Sequence, residues 1–227
     1  MIEIKRAAEK DIPVIVDILE DAVKWLENTD KPLWSKERIQ WEQLSKDFNA
    51  PDFYIAYLDG TPAGCMAVID YDPVFWTDIQ KGESLFIHKL AVKRFAAGQG
   101  LSDALISHAK SMCMDREITG LRLDCHSHRP KLRAVYERNG FICVDEKVLY
   151  GKYHTAFYKC EVHDTKHLYH YYEKNQPPFR TLTSLSFDEA KAVMIDGLAD
   201  KAMFTDLKST WVDNFLRLRY DRDKTLR

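Results

Sequence analysis

Residues Ala91 to Leu105 read AVKRFAAGQGLSDAL. The stretch holds the tail of an apolar run that begins at Leu85, a small-residue loop, and the opening of an amphipathic helix. Gly98 and Gly100 lack a Cβ, so the main chain there can turn sharply and come close to a ligand. Leu101, Ala104, Leu105, Ala109 and Met112 then recur at helical spacing. The first N–H groups of a helix have no partner inside it, and the helix dipole favours negative charge there. Strand, loop and helix together therefore offer a place to a phosphate or diphosphate. Two glycines in such a turn are also compatible with a plain tight turn, and the familiar phosphate motifs fit poorly. The loop has no Gly-Lys-Ser/Thr, and the third glycine of a dinucleotide fingerprint is missing. Asp124 could pass for the ribose-binding acid of that fingerprint, but the elements around it do not repeat as βαβ.

Outward from this loop, Ile2, Ile4 and Arg6 open an edge strand. Asp11 and Pro13 start a helix whose apolar face is Ile15, Ile18, Leu19, Val23 and Leu26. A loop from Asn28 to Trp34 leads to a second helix, expected from about Ser35 to Phe48. Phe53 to Tyr57 and Ala63 to Ile69 flank Asp59-Gly60, a hairpin signal. A loop rich in Asp, Pro and aromatics, Asp70 to Thr77, precedes the strand at Leu85 to Val92. Leu121 and Leu123 alternate with polar neighbours as in a half-buried strand. Pro130 suits a helix start, Leu132, Val135 and Tyr136 share a helical face, and Gly140 reads as the stop. Phe141 to Val148 and Thr155 to Val162 form a closing strand pair. Beyond them Lys166 to Arg180 reads as a linker. Ser186-Phe187-Asp188-Glu189 is a capping box that opens one helix, and Leu207 to Tyr220 reads as another.

Two segments, IHKLAVKRFAAGQGLSDALISHA and GLRLDCHSHRPKLRAVYERNGF, resemble the GNAT superfamily of N-acetyltransferases. In that family the run after the fourth strand reads Arg/Gln-x-x-Gly-x-Gly/Ala and its amides hold the diphosphate of acetyl-CoA. Here the run is Ala97-Gly98-Gln99-Gly100-Leu101-Ser102, with both glycines kept and Ala97 in place of Arg or Gln. Asp103 would repel a phosphate, so its side chain is expected to point away. The Tyr-x-x-x-Gly-Phe signature is Tyr136-Glu137-Arg138-Asn139-Gly140-Phe141. The Asn that often stands seven residues before that tyrosine is Arg129, which could reach a CoA phosphate instead.

The resemblance implies an α/β (α+β) fold: a mixed, largely antiparallel GNAT-type central sheet flanked by helices, over residues 1–162. Residues 163–227 would be a linker plus a small helical C-terminal extension. It also implies acetyl transfer from acetyl-CoA to a primary amine of a small molecule, by direct attack in a ternary complex. The main chain of Leu90, Ala91 and Val92 would pair with the pantetheine arm like an added strand. Ala97, Gly98, Gln99, Gly100, Leu101, Ser102 and Arg129 would hold the rest of the cofactor. Tyr136 would protonate the departing sulfur, and His88 or, through water, Glu83 would take the amine proton. Trp34, Trp76 and His126 would line the acceptor pocket. Two other readings stay open: an acyl-CoA-binding sensor of weak activity, which Ala97 and Arg129 favour, and a protein N-terminal or lysine acetyltransferase.

Composition narrows the partners. Lys and Arg number 33 against 35 Asp and Glu, so no nucleic-acid or membrane affinity is expected from bulk charge. No apolar run approaches the roughly 20 residues that span a bilayer. The charged start MIEIKRAAEKD has no apolar h-region, so a secretory signal is not expected. Cys65, Cys113, Cys125, Cys143 and Cys160 are odd in number and scattered, as for reduced core thiols of a cytoplasmic protein, for which a homodimer is allowed. Asp124-Cys125-His126-Ser127-His128 lacks the second ligand pair that zinc sites show, so no metal is expected.

Overall fold

The structure, a computed structural model, describes residues 1–27 and 34–162. Most of the Asn28–Trp34 loop and the expected linker and helix pair of 163–227 lie outside the described residues. In chain order the elements are β1 (Ile2–Arg6), α1 (Ile12–Glu27), α2 (Trp41–Leu44), β2 (Phe53–Leu58), β3 (Thr61–Ile69), β4 (Ser84–Val92), α3 (Leu101–Asp115), β5 (Gly120–His126), α4 (Pro130–Arg138), β6 (Ile142–Leu149) and β7 (Tyr153–Glu161). They build one seven-stranded sheet in the order β1-β2-β3-β4-β5-β7-β6. Every neighbouring pair is antiparallel except β4 and β5, which run parallel. This is the mixed, largely antiparallel architecture expected from the sequence.

Asp59 and Gly60 both have positive φ, 49° and 82°, which gives the β2–β3 hairpin a turn of the primed kind. The five apolar residues expected on one face of α1 are all buried. Four of them, Ile15, Ile18, Leu19 and Val23, pack on one side of the sheet with Ile39, Leu44, Phe48, Phe53 and Ala91. The other side carries α3 and α4, with Leu85, Ile87, Leu101, Leu105, Leu121, Leu123 and Tyr136 in a second core. Among the described residues no helix is long and apolar enough to cross a membrane.

One expected element is corrected. The helix foreseen from Ser35 to Phe48 is a 3₁₀ turn, Glu37–Ile39, and the single-turn α2, separated by an extended Gln40 at φ −72°, ψ 147°. Gln40 Nε2 donates to Glu20 Oε1 of α1 at 3.0 Å. The break lets Ile39, Leu44 and Phe48 all reach the α1 core, and such tertiary contacts outweigh the segment's modest helix propensity.

Two irregularities in β4 position everything that follows. The first is its short pairing with β5, which covers only Ser84–Phe86 against Gly120–Arg122. Beyond that, β5 continues beside β7 to His126 while β4 continues beside β3 to Val92. The edge of β4 from Ile87 to Val92 thus faces an opening wedge between two parallel strands. The second is a bulge: Cys65 faces Ala91 and Ala67 faces His88, so Lys89 and Leu90 share the single partner Met66. Lys89 takes a positive φ of 52° there.

Candidate active site

At the mouth of the wedge the chain makes a 3₁₀ turn, Arg94–Ala96, and then the glycine loop. Gly98 and Gly100 both adopt the left-handed conformation, φ 80° and 79°, where a Cβ would be strained. A Cβ built on either glycine would meet nothing within 4 Å, so both face open space. Gly100 caps α3, its carbonyl accepting from Ala104 N at 2.9 Å. Among the described residues, the N–H groups of Gly98, Gly100, Leu101 and Ser102 donate to no protein acceptor. These free donors at a helix N-terminus fit the diphosphate of a coenzyme. Asp103 turns away, as expected, toward Arg138 and Asn139 of the α4 end.

Along the wedge, the bulge exchanges the two faces of β4. Leu85 and Ile87 point to the α3 side before it, and Leu90 and Val92 do so after it. His88 and Lys89 therefore both lie on the opposite, α1 side, where Ala91 is also buried. The His88 ring packs on Phe48 with centroids 5.6 Å apart. Its Nε2 lies 3.4 Å from Asp72 Oδ2, in an alignment too poor for a hydrogen bond, and both atoms are buried. The other Asp72 oxygen accepts from Val74 N at 3.2 Å and Phe75 N at 3.0 Å, which fixes the carboxylate. Burial alone would raise the Asp72 carboxyl, but His88 and those two N–H groups hold it below its ordinary value.

Asp124 of β5 completes this cluster: one ligand-type atom from each of Asp72, His88 and Asp124 lies within 4.8 Å of the others. Burial raises the Asp124 carboxyl to about 6, with Asp72 adding to the rise and His88 and Lys89 opposing it. A carboxyl tuned this way is poised to exchange protons near neutral pH. The cluster is also the place where a cation would find converging ligands, in contrast to the Asp124–His128 run read from sequence. Two residues beyond Asp124 on β5, His126 packs against His128 and His154, with ring centroids 5.5 Å and 6.3 Å away. Burial, then Arg129 and the two other imidazoles, lowers its pKa.

The other expected site residues fall as follows. Tyr136 of α4 is buried, with its ring 6.1 Å from Phe141 and 5.9 Å from Tyr158. Burial, and then the neighbouring Cys125 and Asp124, push its hydroxyl well above the ordinary tyrosine value, so it stays protonated. Arg129 stands at the N-terminal end of α4, three residues after the last residue of β5. Trp34 lies under Lys89, whose Nζ is 5.3 Å from its ring centroid.

Two expectations are corrected. Glu83 precedes β4 at the end closed by β5, five residues before His88 and so roughly 16 Å along the strand. It is exposed and accepts from Gln80 N at 3.2 Å, so it does not serve the wedge. Trp76 is a core residue: it is 9% exposed and packs on Phe86 and Phe157, with the Arg122 guanidinium over its face. Sequence reading passed over Asp72 and Lys89 altogether and gave Asp124 no catalytic part.

Comparison with known proteins bears on the family and the fold. The sequence model of the Acetyltransferase (GNAT) family matches residues 16–141. The chain is 26% identical over 141 residues to the "Uncharacterized N-acetyltransferase YesJ" of Bacillus subtilis (strain 168), covering 60% of this chain and 78% of that one. In fold it is similar to the PaiA N-acetyltransferase of Thermoplasma acidophilum in complex with coenzyme A, with TM-score 0.55, 16% identity, and coverage of 71% and 99% of the two chains. It is likewise similar to the ribosomal-protein-S18-alanine N-acetyltransferase of Escherichia coli, with TM-score 0.54, 17% identity, and coverage of 72% and 96%.

Proposed function

This chain belongs to the GNAT family of N-acetyltransferases, and from that premise we propose that it moves an acetyl group from acetyl-CoA to a primary amine of a small molecule. The observation that carries the reading is the wedge between β4 and β5, ending at the free amides of Gly98 to Ser102. The substrate diphosphate sits on those amides, and the pantetheine arm lies along Leu90, Ala91 and Val92 as an added strand. A main-chain N–H near Leu90 polarises the thioester oxygen.

The acceptor enters from the α1 side. Its ammonium gives a proton to the Asp72–His88–Asp124 cluster, and the neutral amine attacks the thioester carbon. The new C–N bond forms as the C–S bond breaks, Tyr136 gives its hydroxyl proton to the departing thiolate, and the proton that the acylated nitrogen then loses returns through water to Tyr136. Holding both substrates in one ternary complex supplies most of the rate, and the acid and the base each add about 10²–10⁴-fold. The loss of the loop arginine at Ala97 is tolerable because the bonds to the diphosphate come from main chain. All five cysteines are free thiols, which supports a reducing compartment such as the cytosol.

The test is release of CoA thiol over a panel of small amines and peptides with free N-termini, beside calorimetry with CoA. Turnover of small amines is the expected result. Saturable CoA binding with no turnover of any amine would point to a sensor, and turnover of peptides alone to a protein acetyltransferase.

A further inference from the structure

Lys89 is the residue of the wedge that the acetyl-transfer chemistry leaves unused. Its backbone is held in the left-handed region, φ 52°, which a side-chain-bearing residue seldom adopts. Such outliers persist where the surroundings over-determine them, and they cluster at functional sites. Here the surroundings are the two-against-one pairing with Met66. Without that bulge, strict alternation would send Lys89 into the α3 core beside Leu85 and Ile87. With it, the ammonium emerges beside His88 on the acceptor side.

There Lys89 Nζ lies over the face of Trp34 at 5.3 Å, and among the described residues it has no carboxylate within ion-pair distance. Burial lowers its pKa, Asp47 and Asp124 oppose that, and Arg38 lowers it further. A half-buried ammonium stacked on an aromatic face and in ion-pair contact with no carboxylate among the described residues keeps N–H donors free for an anion. The anion is not the coenzyme diphosphate, whose amides lie past the end of β4 at Gly98 to Ser102. It belongs to the acceptor. One strand step from Lys89, the Asp72–His88–Asp124 cluster offers the matching place for an ammonium.

We propose that Lys89, backed by Trp34, binds a carboxylate of the acceptor, so that the preferred acceptors are amines that carry a carboxylate close by, as free α-amino acids do. The inference rests on the acetyl-transfer reading and narrows its substrate class. Decarboxylated amines leave the Lys89 ammonium desolvated without a partner. Peptide N-termini do the same, because their carboxylate has become an amide.

The experiment compares the common L-amino acids, each beside the amine left when its carboxylate is removed, in the thiol-release assay. The expected result is a preference for the acid, in kcat/KM, of about tenfold or more in at least one pair. Lys89→Met should bring that ratio close to one, and Lys89→Arg should keep part of it, with thermal melts confirming that both variants fold. Equal use of acid and amine across all pairs overturns the proposal, as does a Lys89→Met enzyme that keeps the wild-type ratio. A second arm measures binding of N-acetyl-amino acids and of the matching N-acetylamines by calorimetry with CoA present. If no amine is turned over, acetyl transfer fails as a reading. The carboxylate site is then decided by whether the N-acetyl-amino acids still bind more tightly in a Lys89-dependent way.

Discussion

The Arg138 guanidinium grips the Asp103 carboxylate through two parallel hydrogen bonds, Nε to Oδ1 and Nη2 to Oδ2, each 3.0 Å long. Asn139 Nδ2 donates to the same carboxylate at 2.6 Å. Asp103 lies in the first turn of α3, where a carboxylate completes the helix dipole but would repel a diphosphate at the loop amides. The grip from α4 resolves that conflict by neutralising the acid and turning it aside. Both partners are about half exposed, so the pair contributes at most about 1 kcal/mol to stability. Its larger effect is on the coenzyme. Arg138→Gln should leave the melting temperature nearly unchanged and raise the Kd for CoA several-fold at low salt, with the difference shrinking as salt screens the freed acid. Calorimetry across a salt series checks this, and Asp103→Asn in the same background should restore affinity.

Gly100 has φ 79° and faces open space. Two effects of Gly100→Ala can thus be told apart. The strain of a side chain in the left-handed region costs roughly 1–2 kcal/mol and lowers Tm by a few degrees. The methyl group also enters the space in front of the free amides, so CoA affinity should fall by more than tenfold. Gly60, also left-handed with nothing within 4 Å, is the control: Gly60→Ala should cost similar stability and leave CoA binding alone.

Most of the scaffold was legible because periodicity and turn chemistry agree with the packing. The α1 face, the Asp59-Gly60 turn, the Gly100 cap and the Pro130 start all stand where the residues place them. The acceptor side was not legible, for a reason visible in β4. On the α3 face its apolar residues are Leu85 and Ile87, then Leu90 and Val92, so the parity of that face changes across His88-Lys89, while Phe86 and Ala91 on the other face mask the change in the sequence. That change is the signature of a bulge, and two successive polar residues in an apolar strand are its second sign. Read as an unbroken strand, the segment hides Lys89. Asp72 sits in an irregular loop, and its approach to His88 depends on tertiary packing that no spacing encodes.

Asp124 carries a prediction in pH. Its carboxyl stands at about 6 in the folded protein against 3.8 for an unperturbed aspartate, chiefly through burial. The folded state therefore holds the proton more tightly than the unfolded one, and stability is lost as pH rises from about 4 through 6. At neutral pH the loss is roughly 3 kcal/mol at most. Asp124→Asn, which buries no charge, should raise Tm at pH 7.5 and change it much less at pH 4. On the proposed mechanism activity runs the opposite way, because a proton acceptor works only when ionised. The kcat/KM of the native enzyme should rise through an acid limb near pH 6, and in Asp124→Asn that limb should shift or vanish with a loss of about 10²-fold or more.

Tyr136 is the converse case, a group whose use depends on keeping its proton. Burial holds its hydroxyl protonated across any practical assay range, so the rate should show no alkaline limb from Tyr136 below pH 10. The ring, packed between Phe141 and Tyr158, is retained in Tyr136→Phe, and the fold should survive with little change in Tm. On the proposed mechanism, what the variant removes is the proton for the leaving thiolate, which is needed only as the C–S bond breaks. The loss should therefore appear in kcat, by about 10²-fold or more, with KM for acetyl-CoA changed by no more than about threefold. A substrate with a better thiolate leaving group needs that proton less, so an acetyl donor of lower thiol pKa should recover part of the lost rate in Tyr136→Phe and gain little in the native enzyme. Steady-state kinetics with the two donors decide the point: equal gains in both enzymes would remove Tyr136 from the proton path.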